Sequence, residues 1–297
     1  MSTIEQHAPA INLFPPLQPP RRYLFGPGPT MVDPRVYTAM AKPIVGHLDP
    51  YFIQVMGDVQ QLVKMAYGTS DGATLVISGT GSAGMEAAIA NFVEPGTKIA
   101  IFANGYFSDR LTEMAKRQGA NVVRFEKAWG ETFGDDEARD FIRRENPKVV
   151  AYVHAETSTG ALQSGKAICA AAHEAGALVI ADCVTSLGGV PVEFDRTGID
   201  VAYSCTQKGL SCPPGLSPMA MSRRAMDFLS SRTTPSRSWY LDLKLIHDYS
   251  TVSHRYHHTA PISMFYALRE ALMVIAEEGI ENRWERHRRA HRSFVKG

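Results

Sequence analysis

The 297-residue sequence predicts an α/β fold, a mostly parallel central sheet with helices on both faces. Three observations carry that prediction. From residue 74 onward, short β-branched runs alternate with amphipathic stretches. Small, polar or ionisable residues follow the runs directly, as "GTGSAG", "NGYF", "AETSTG", "DCVTSLGG" and "TQKGL". And Gly79-x-Gly81-x-x-Gly84 joins the first run to an amphipathic stretch, in the strand–turn–helix context of a phosphate-binding loop.

Taken in order, the chain opens with "MSTIEQHAPAINLFPPLQPPRRYLF", which has no basic region followed by an apolar core and so is not read as a secretory signal. Pro15, Pro16, Pro19 and Pro20 predict an extended arm over residues 1–24, lying on its own or a partner subunit, or else a loose tail. Strands are expected at 74–78, 98–103, 121–125, 148–154, 177–181 and 200–204, each a short β-branched run. Helices are expected at 82–93, 106–118, 134–145 and 165–176, where the apolar period lengthens. A further strand at 216–222 is compatible with an antiparallel placement. Beyond about residue 225 the pattern changes, and "RTTPSRSWYLDLKLIHDYSTVSHRYHHTAP" (232–261), rich in aromatics and histidines, reads as mostly loop with a short helix. Residues 262–295 read as one long helix, with Phe265, Leu268, Leu272, Ile275 and Ala276 on one stripe.

Composition narrows the partners. At 44% hydrophobic and 21% charged, the chain is long enough to bury a sizeable core. A formal net charge of +1 provides no global field for nucleic acid or an anionic membrane, so neither partner is expected. The apolar runs are too short to span a bilayer. Glu281 and Glu285 interleave with the basic residues of "ENRWERHRRAHRSFVKG", which reads as a solvated helix face. The four cysteines, Cys169, Cys183, Cys205 and Cys212, form no C-x-x-C pair and read as reduced thiols. With no targeting segment and no peroxisomal ending on this chain, the cytoplasm is the expected compartment.

The glycine loop has two readings. A dinucleotide site needs an acidic residue at the end of the next strand, to hold the ribose hydroxyls. Here that strand ends in Asn104-Gly105, and Glu94 precedes it, at the wrong end of the sheet. A single phosphate needs less: the backbone N–H groups of Thr80, Gly81 and Ser82 at a helix start, aided by the helix dipole. A glycine-rich turn without any ligand is the plain alternative.

Two other stretches decide. "ALVIADCVTSLGG" delivers Asp182 at the carboxyl end of an apolar strand. There it can bind a metal, act as a base, pair with a buried cation, or simply cap a turn. Cys183, the one other metal-ligand type in that segment, points the opposite way on an extended chain. "DVAYSCTQKGLSCPPGLSP" delivers Lys208 to the same edge, among small residues and ahead of a rigid Cys-Pro-Pro-Gly turn. Most lysines are solvated surface charges. One held at a ligand edge can lose its proton and form a Schiff base. A phosphate cradle, a carboxylate for a ring nitrogen and a Schiff-base lysine together make the set that pyridoxal 5′-phosphate requires.

At this point the residues match a family. "FGPGPT" (25–30), "VISGTGSAGMEAA" (76–88), "AETSTGALQ" (155–163), "ADCVTSLGG" (181–189), "YSCTQKGLSCPPGLS" (203–217) and "YHHTAPISMFYALREAL" (256–272) carry the likeness. The chain resembles the class V aminotransferases of pyridoxal-phosphate fold type I, in their alanine–glyoxylate / serine–glyoxylate (serine–pyruvate) branch. The resemblance implies a three-layer large domain over residues 25–261. It also implies that 262–297 leads toward a small C-terminal α/β domain, which this sequence, ending at Gly297, is expected to lack.

Position by position, the resemblance implies that Lys208 carries the cofactor and Asp182 pairs with its ring nitrogen. Thr80, Gly81, Ser82 and Gln207 would contact the phosphate, Ser158 the neighbourhood of the phenolic oxygen, and Val184 and Phe107 the two ring faces. Gly28, in "FGPGPT", would wall the substrate side. Tyr256 and Thr259 would reach the phosphate of the neighbouring subunit, which implies a homodimer. The histidines of "HRYHHT" have no acidic or cysteine partner nearby, so no metal is expected. The implied reaction is transamination between a small amino acid, alanine or serine, and glyoxylate or pyruvate. The alternatives are another class V reaction of desulfurase or lyase type, an NAD-dependent dehydrogenase without its ribose acid, and a truncated cofactor-binding chain without turnover.

Overall fold

The computed structural model describes residues 14–297. Residues 1–13 of the expected N-terminal arm lie outside the described residues, and 14–24 run without helix or strand, with Phe14 and Leu17 fully solvated. Two helices then precede the first strand, α1 (Pro34–Met40) and α2 (Pro50–Tyr67). Both were missed from sequence, although each opens with an Asp-Pro pair. Asp33 and Asp49 cap with their side chains while Pro34 and Pro50 occupy the first turn, and Gly68 closes α2 in the left-handed conformation.

The strand–helix alternation follows as expected, with boundaries within a few residues: β1 (Ala73–Ser78), α3 (Gly81–Phe92), β2 (Lys98–Ala103), α4 (Tyr106–Arg117), β3 (Asn121–Glu126), α5 (Asp135–Glu145), β4 (Val149–Val153), α6 (Lys166–Glu174), β5 (Leu178–Asp182). A four-residue α7 (Phe194–Thr197), then β6 (Val201–Tyr203) and β7 (Leu216–Met221), complete the sheet. The seven strands are ordered β1-β7-β6-β5-β4-β2-β3. β7 is antiparallel to both β1 and β6, and every other pairing is parallel. One reversed strand between two others restores direction, so β1 runs the same way as β5 and β6. The carboxyl ends of β1, β2, β4, β5 and β6 therefore open on one edge, where β7 begins.

The sheet separates two cores because side chains alternate along each strand. Val150 and Tyr152 of β4 pack with Phe52, Phe102 and Leu268 on one face. Val149, Ala151 and Val153 pack with Met85, Leu111 and Leu241 on the other.

After β7 the sequence reading missed one helix, while 232–261 is mostly loop with a short helix, as expected. The chain forms α8 (Arg223–Ser231), α9 (Leu243–His247) and a π-helical turn (Asp248–Val252). The single long helix expected at 262–295 is two, α10 (Ile262–Glu278) and α11 (Ile280–Lys296). Gly279 separates them at φ 81°, a conformation that ends a helix and that glycine adopts without strain. The predicted stripe is otherwise real, with Phe265, Leu268, Leu272 and Ile275 buried.

Candidate active site

A cleft of about 200 Å³ opens at the carboxyl edge and brings together Thr80, Gly81, Ser82, Phe107, Asp182, Val184, Gln207 and Lys208. Met85 and Arg110, which sequence reasoning missed, also line it. A larger hollow of about 490 Å³ lies beside Asn91, Arg232 and Trp239. It lacks the lysine and the buried acid, so chemistry rather than size selects the smaller one.

Asp182 sits at the floor. It is register partner to Tyr203 on the adjacent parallel strand, which puts both side chains on one face of the sheet. The Tyr203 hydroxyl donates to Oδ2 at 2.9 Å and the Val184 N–H donates to Oδ1 at 2.8 Å. Burial pushes the carboxyl up to about 6, against the pull of those two donors. Such an acid is poised to pair with a cationic ring nitrogen, which would restore its ionised form.

Lys208 projects from a loop that other segments grip. Thr30 donates from its N–H to Gln207 O (3.1 Å) and from its hydroxyl to Lys208 O (3.0 Å). Gly28 lies against the lysine stem, where a Cβ would stand 2.4 Å from Lys208 Cδ. That contact explains a glycine in "FGPGPT" and places Gly28 at the cleft.

The N-terminus of α3 forms another wall of the cleft. Thr80 is the N-cap of α3 with no side-chain capping bond, leaving its hydroxyl free. The N–H groups of Gly81 and Ser82 fall in the first turn, where no intrahelical carbonyl is available to them. A Cβ on Gly81 would crowd Val184 Cγ2 at 3.0 Å and Cys205 Cβ at 3.1 Å. The buried Oε1 of Gln207 has no partner in the protein. A cradle of N–H groups, an unengaged amide, a buried acid and an amine fit the phosphate, ring nitrogen and aldehyde of pyridoxal 5′-phosphate.

Phe107 is presented by a support that sequence reasoning also missed. Glu156, delivered by β4 and 1% exposed, accepts from Phe107 N (3.1 Å), Ser108 N (3.4 Å), Ser158 N (3.1 Å) and Ser158 Oγ (2.7 Å). A carboxylate at the start of α4 also complements the helix dipole. Ser158 does not line the cleft; its hydroxyl is engaged by Glu156 and by Tyr106 N at 3.0 Å. Arg110, three residues after Phe107 on the same helix face, lays its guanidinium 4.9 Å from the Phe107 ring centre. From there its Nη1 donates to Ser82 Oγ at 3.0 Å.

Tyr256 and Thr259 lie outside this cleft, exposed, with their hydroxyls 3.5 Å apart. The adjacent histidines form a directed chain. His257 Nε2 donates to Trp239 O (3.1 Å), which leaves its Nδ1 to accept from His258 Nδ1–H (2.8 Å). His258 Nε2 then accepts the Ser78 hydroxyl at 2.6 Å. Burial holds His258 down at about 4. Cys205 and Cys212, which flank the lysine, are buried with their thiols pushed up to about 12, so neither offers a thiolate.

The family model for aminotransferase class-V matches residues 22–297. The chain is 37% identical to the (S)-ureidoglycine–glyoxylate transaminase of Bacillus subtilis, over 94% of this chain and 71% of that protein. It is 36% identical to the alanine–glyoxylate aminotransferase of Rattus norvegicus, over 95% and 69% respectively. The crystal structure of an alanine–glyoxylate aminotransferase from Nostoc sp. superposes with a TM-score of 0.91 at 48% identity, covering 94% of this chain and 75% of that one. With the cleft's donor set and these matches together, the chain belongs to the class V aminotransferases and is a pyridoxal-phosphate-dependent enzyme.

Proposed function

We propose that the enzyme moves an amino group from a small amino acid, alanine or serine, to glyoxylate or pyruvate, with Lys208 as the amine that carries the cofactor. The observation behind this reading is the meeting of Lys208, Asp182 and the α3 N-terminus in one cleft. When bound, pyridoxal phosphate supplies an aldehyde and an electron-accepting ring. Asp182, fixed by Tyr203 and the Val184 amide, would hold a proton on the ring nitrogen. Val184 and Phe107, which line the cleft, would cover the ring, and Thr80, Gly81, Ser82 and Gln207 would hold the phosphate. Lys208 Nζ, at the same cleft, would act as the general base that takes the proton from the substrate's α-carbon and holds it for return as general acid. Gly28 keeps the substrate side open beside the lysine stem.

Support for the acceptor comes from the relatives, whose names specify glyoxylate. Cysteine desulfuration asks for a mobile thiolate, and the two thiols near Lys208 are buried and protonated. We read the working unit as a homodimer in which Tyr256 and Thr259, exposed and off their own cleft, complete the neighbouring site. Residues 25–261 form the cofactor domain in this reading, and 262–297 the connection beyond it. The buried free thiols accord with a cytoplasmic setting. The test is a panel of amino donors against glyoxylate and pyruvate. Glycine formed from alanine or serine is the expected result, and a loaded enzyme that transfers no amino group from any donor refutes the reading.

A further inference from the structure

The one residue that α11 buries is charged. Arg283 is 5% exposed, and all three nitrogens of its guanidinium are committed. Nε donates to Gly188 O (3.2 Å), Nη2 to Gly209 O (2.7 Å) and Ser211 Oγ (3.2 Å), and Nη1 to Glu278 Oε2 (3.0 Å). Burying a guanidinium is costly unless its donors are all satisfied, and here a planar fork meets a matching set of acceptors.

Those acceptors belong to the cofactor cleft's own loops. Gly188 lies on the loop leaving β5 after Asp182, and Gly209 follows Lys208 directly. The two loops touch backbone to backbone. A Cβ on Gly209 would stand 2.4 Å from Leu187 O, and one on Gly188 would stand 2.9 Å from Gly209 O. Arg283 bridges that junction, while Thr30 holds the carbonyls of Gln207 and Lys208. Its remaining arm reaches Glu278, the last residue of α10, which also pairs with Arg286. The break at Gly279 is thus spanned by an ion pair whose other end grips the lysine loop.

We propose that Arg283 is a positioning residue for the cofactor: it locks the Asp182 loop to the Lys208 loop and ties both to the α10–α11 junction. The seat of the ring then depends on where α11 lies. A purely helix-docking role makes a different prediction, lost stability with an unchanged seat. The inference rests on the reading of Lys208 and Asp182 as cofactor ligands.

The test compares the parent chain with Arg283→Met, Arg283→Lys and Arg286→Gln. Three quantities are read: the dissociation constant for pyridoxal phosphate, the visible circular dichroism of the bound cofactor, and melting of the cofactor-free protein. Arg283→Met is expected to bind the cofactor about tenfold more weakly (about 1.4 kcal/mol) with an altered visible band. Arg283→Lys should recover part of both, since an ammonium can reach one carbonyl but not span two. Arg286→Gln, half-exposed and paired with Glu278, should match the parent in both. Parent-like affinity and dichroism in the Met and Lys variants overturn the proposal, whatever their melting. If Arg283→Met does not fold, Arg283→Lys decides alone: weaker binding with an altered band supports the proposal, and a parent-like result overturns it. Borohydride fixation of the parent separates the two levels. A missing adduct at Lys208 sinks the reading of the site, whereas an adduct at Lys208 with parent-like variants sinks the role of Arg283 only.

Discussion

Tyr203 donates its hydroxyl to Asp182 at 2.9 Å, and the two residues are register partners on adjacent parallel strands, both buried. The pair shows how the sheet itself aims the acid: alternation puts both side chains on one face, and the tyrosine fixes one oxygen. Burial nevertheless wins, raising Asp182 from 3.8 to about 6.

That shift has a sign. Between about pH 4 and 6 the folded cofactor-free chain holds a proton on Asp182 that the unfolded chain has released. Stability from this group is therefore lost as pH rises through about 6, by up to about 3 kcal/mol. Asp182→Asn should raise the melting temperature of the cofactor-free protein at pH 7.5, with the gain shrinking toward pH 4, while abolishing turnover. A variant less stable than the parent at pH 7.5 contradicts the buried-acid account.

His154 supplies the opposite slope in the same window. Burial holds it down at about 4, and its Nδ1 has no partner. Below the unfolded value near 6.5 the unfolded chain takes a proton that the folded chain refuses, so stability falls as pH drops toward 4. His154→Leu should shift the acid-unfolding midpoint downward, measured by far-UV circular dichroism against pH. An unchanged midpoint would mean that another group governs the acid limb.

Gly28 is a position where only the missing side chain fits. Its φ is +126°, and a Cβ would meet Lys208 Cδ at 2.4 Å and Gln207 O at 2.9 Å. Gly28→Ala should displace the lysine, cutting turnover about a hundredfold and stability by about 1–3 kcal/mol. Gly26→Ala, with nothing within 4 Å of its Cβ, is the control that should change neither. Activity and melting measured on both variants decide it.

Arg110 joins the N-terminus of α3 to the Phe107 ring: it donates to Ser82 and lies over Phe107. Its charge also opposes the rise of Asp182. Arg110→Leu should weaken cofactor binding about tenfold and leave the fold intact, with Ser82→Ala milder. Titration of the cofactor-free proteins with pyridoxal phosphate reads both effects. Equal affinity in all three chains would remove Arg110 from the site.

Much of this was legible in the sequence because it is local. Asp182 and Lys208 are announced by the apolar strands that precede them, and the glycine loop by its spacing. What was missed depends on neighbours distant in the chain. Glu156 follows a buried strand just as Asp182 does, but its partners lie on α4 and in the loop beside Ser158. Arg110 shows only as a charge three residues after Phe107. Arg283 sits in a run whose periodicity reads as a solvated basic face, and only the folded loops reveal why one member is buried. The α10–α11 break was hidden because a lone glycine is tolerated within a helical pattern. The Asp-Pro caps of α1 and α2, by contrast, were present and went unread.

The central claim is chemical identity at one nitrogen, and one measurement reaches it. The holoenzyme is reduced with borohydride, digested, and mapped by mass spectrometry. A pyridoxyl group on Lys208, and no fixed cofactor in a Lys208→Ala chain, is the predicted result. An adduct on another lysine, or a cofactor that borohydride never fixes, contradicts the account.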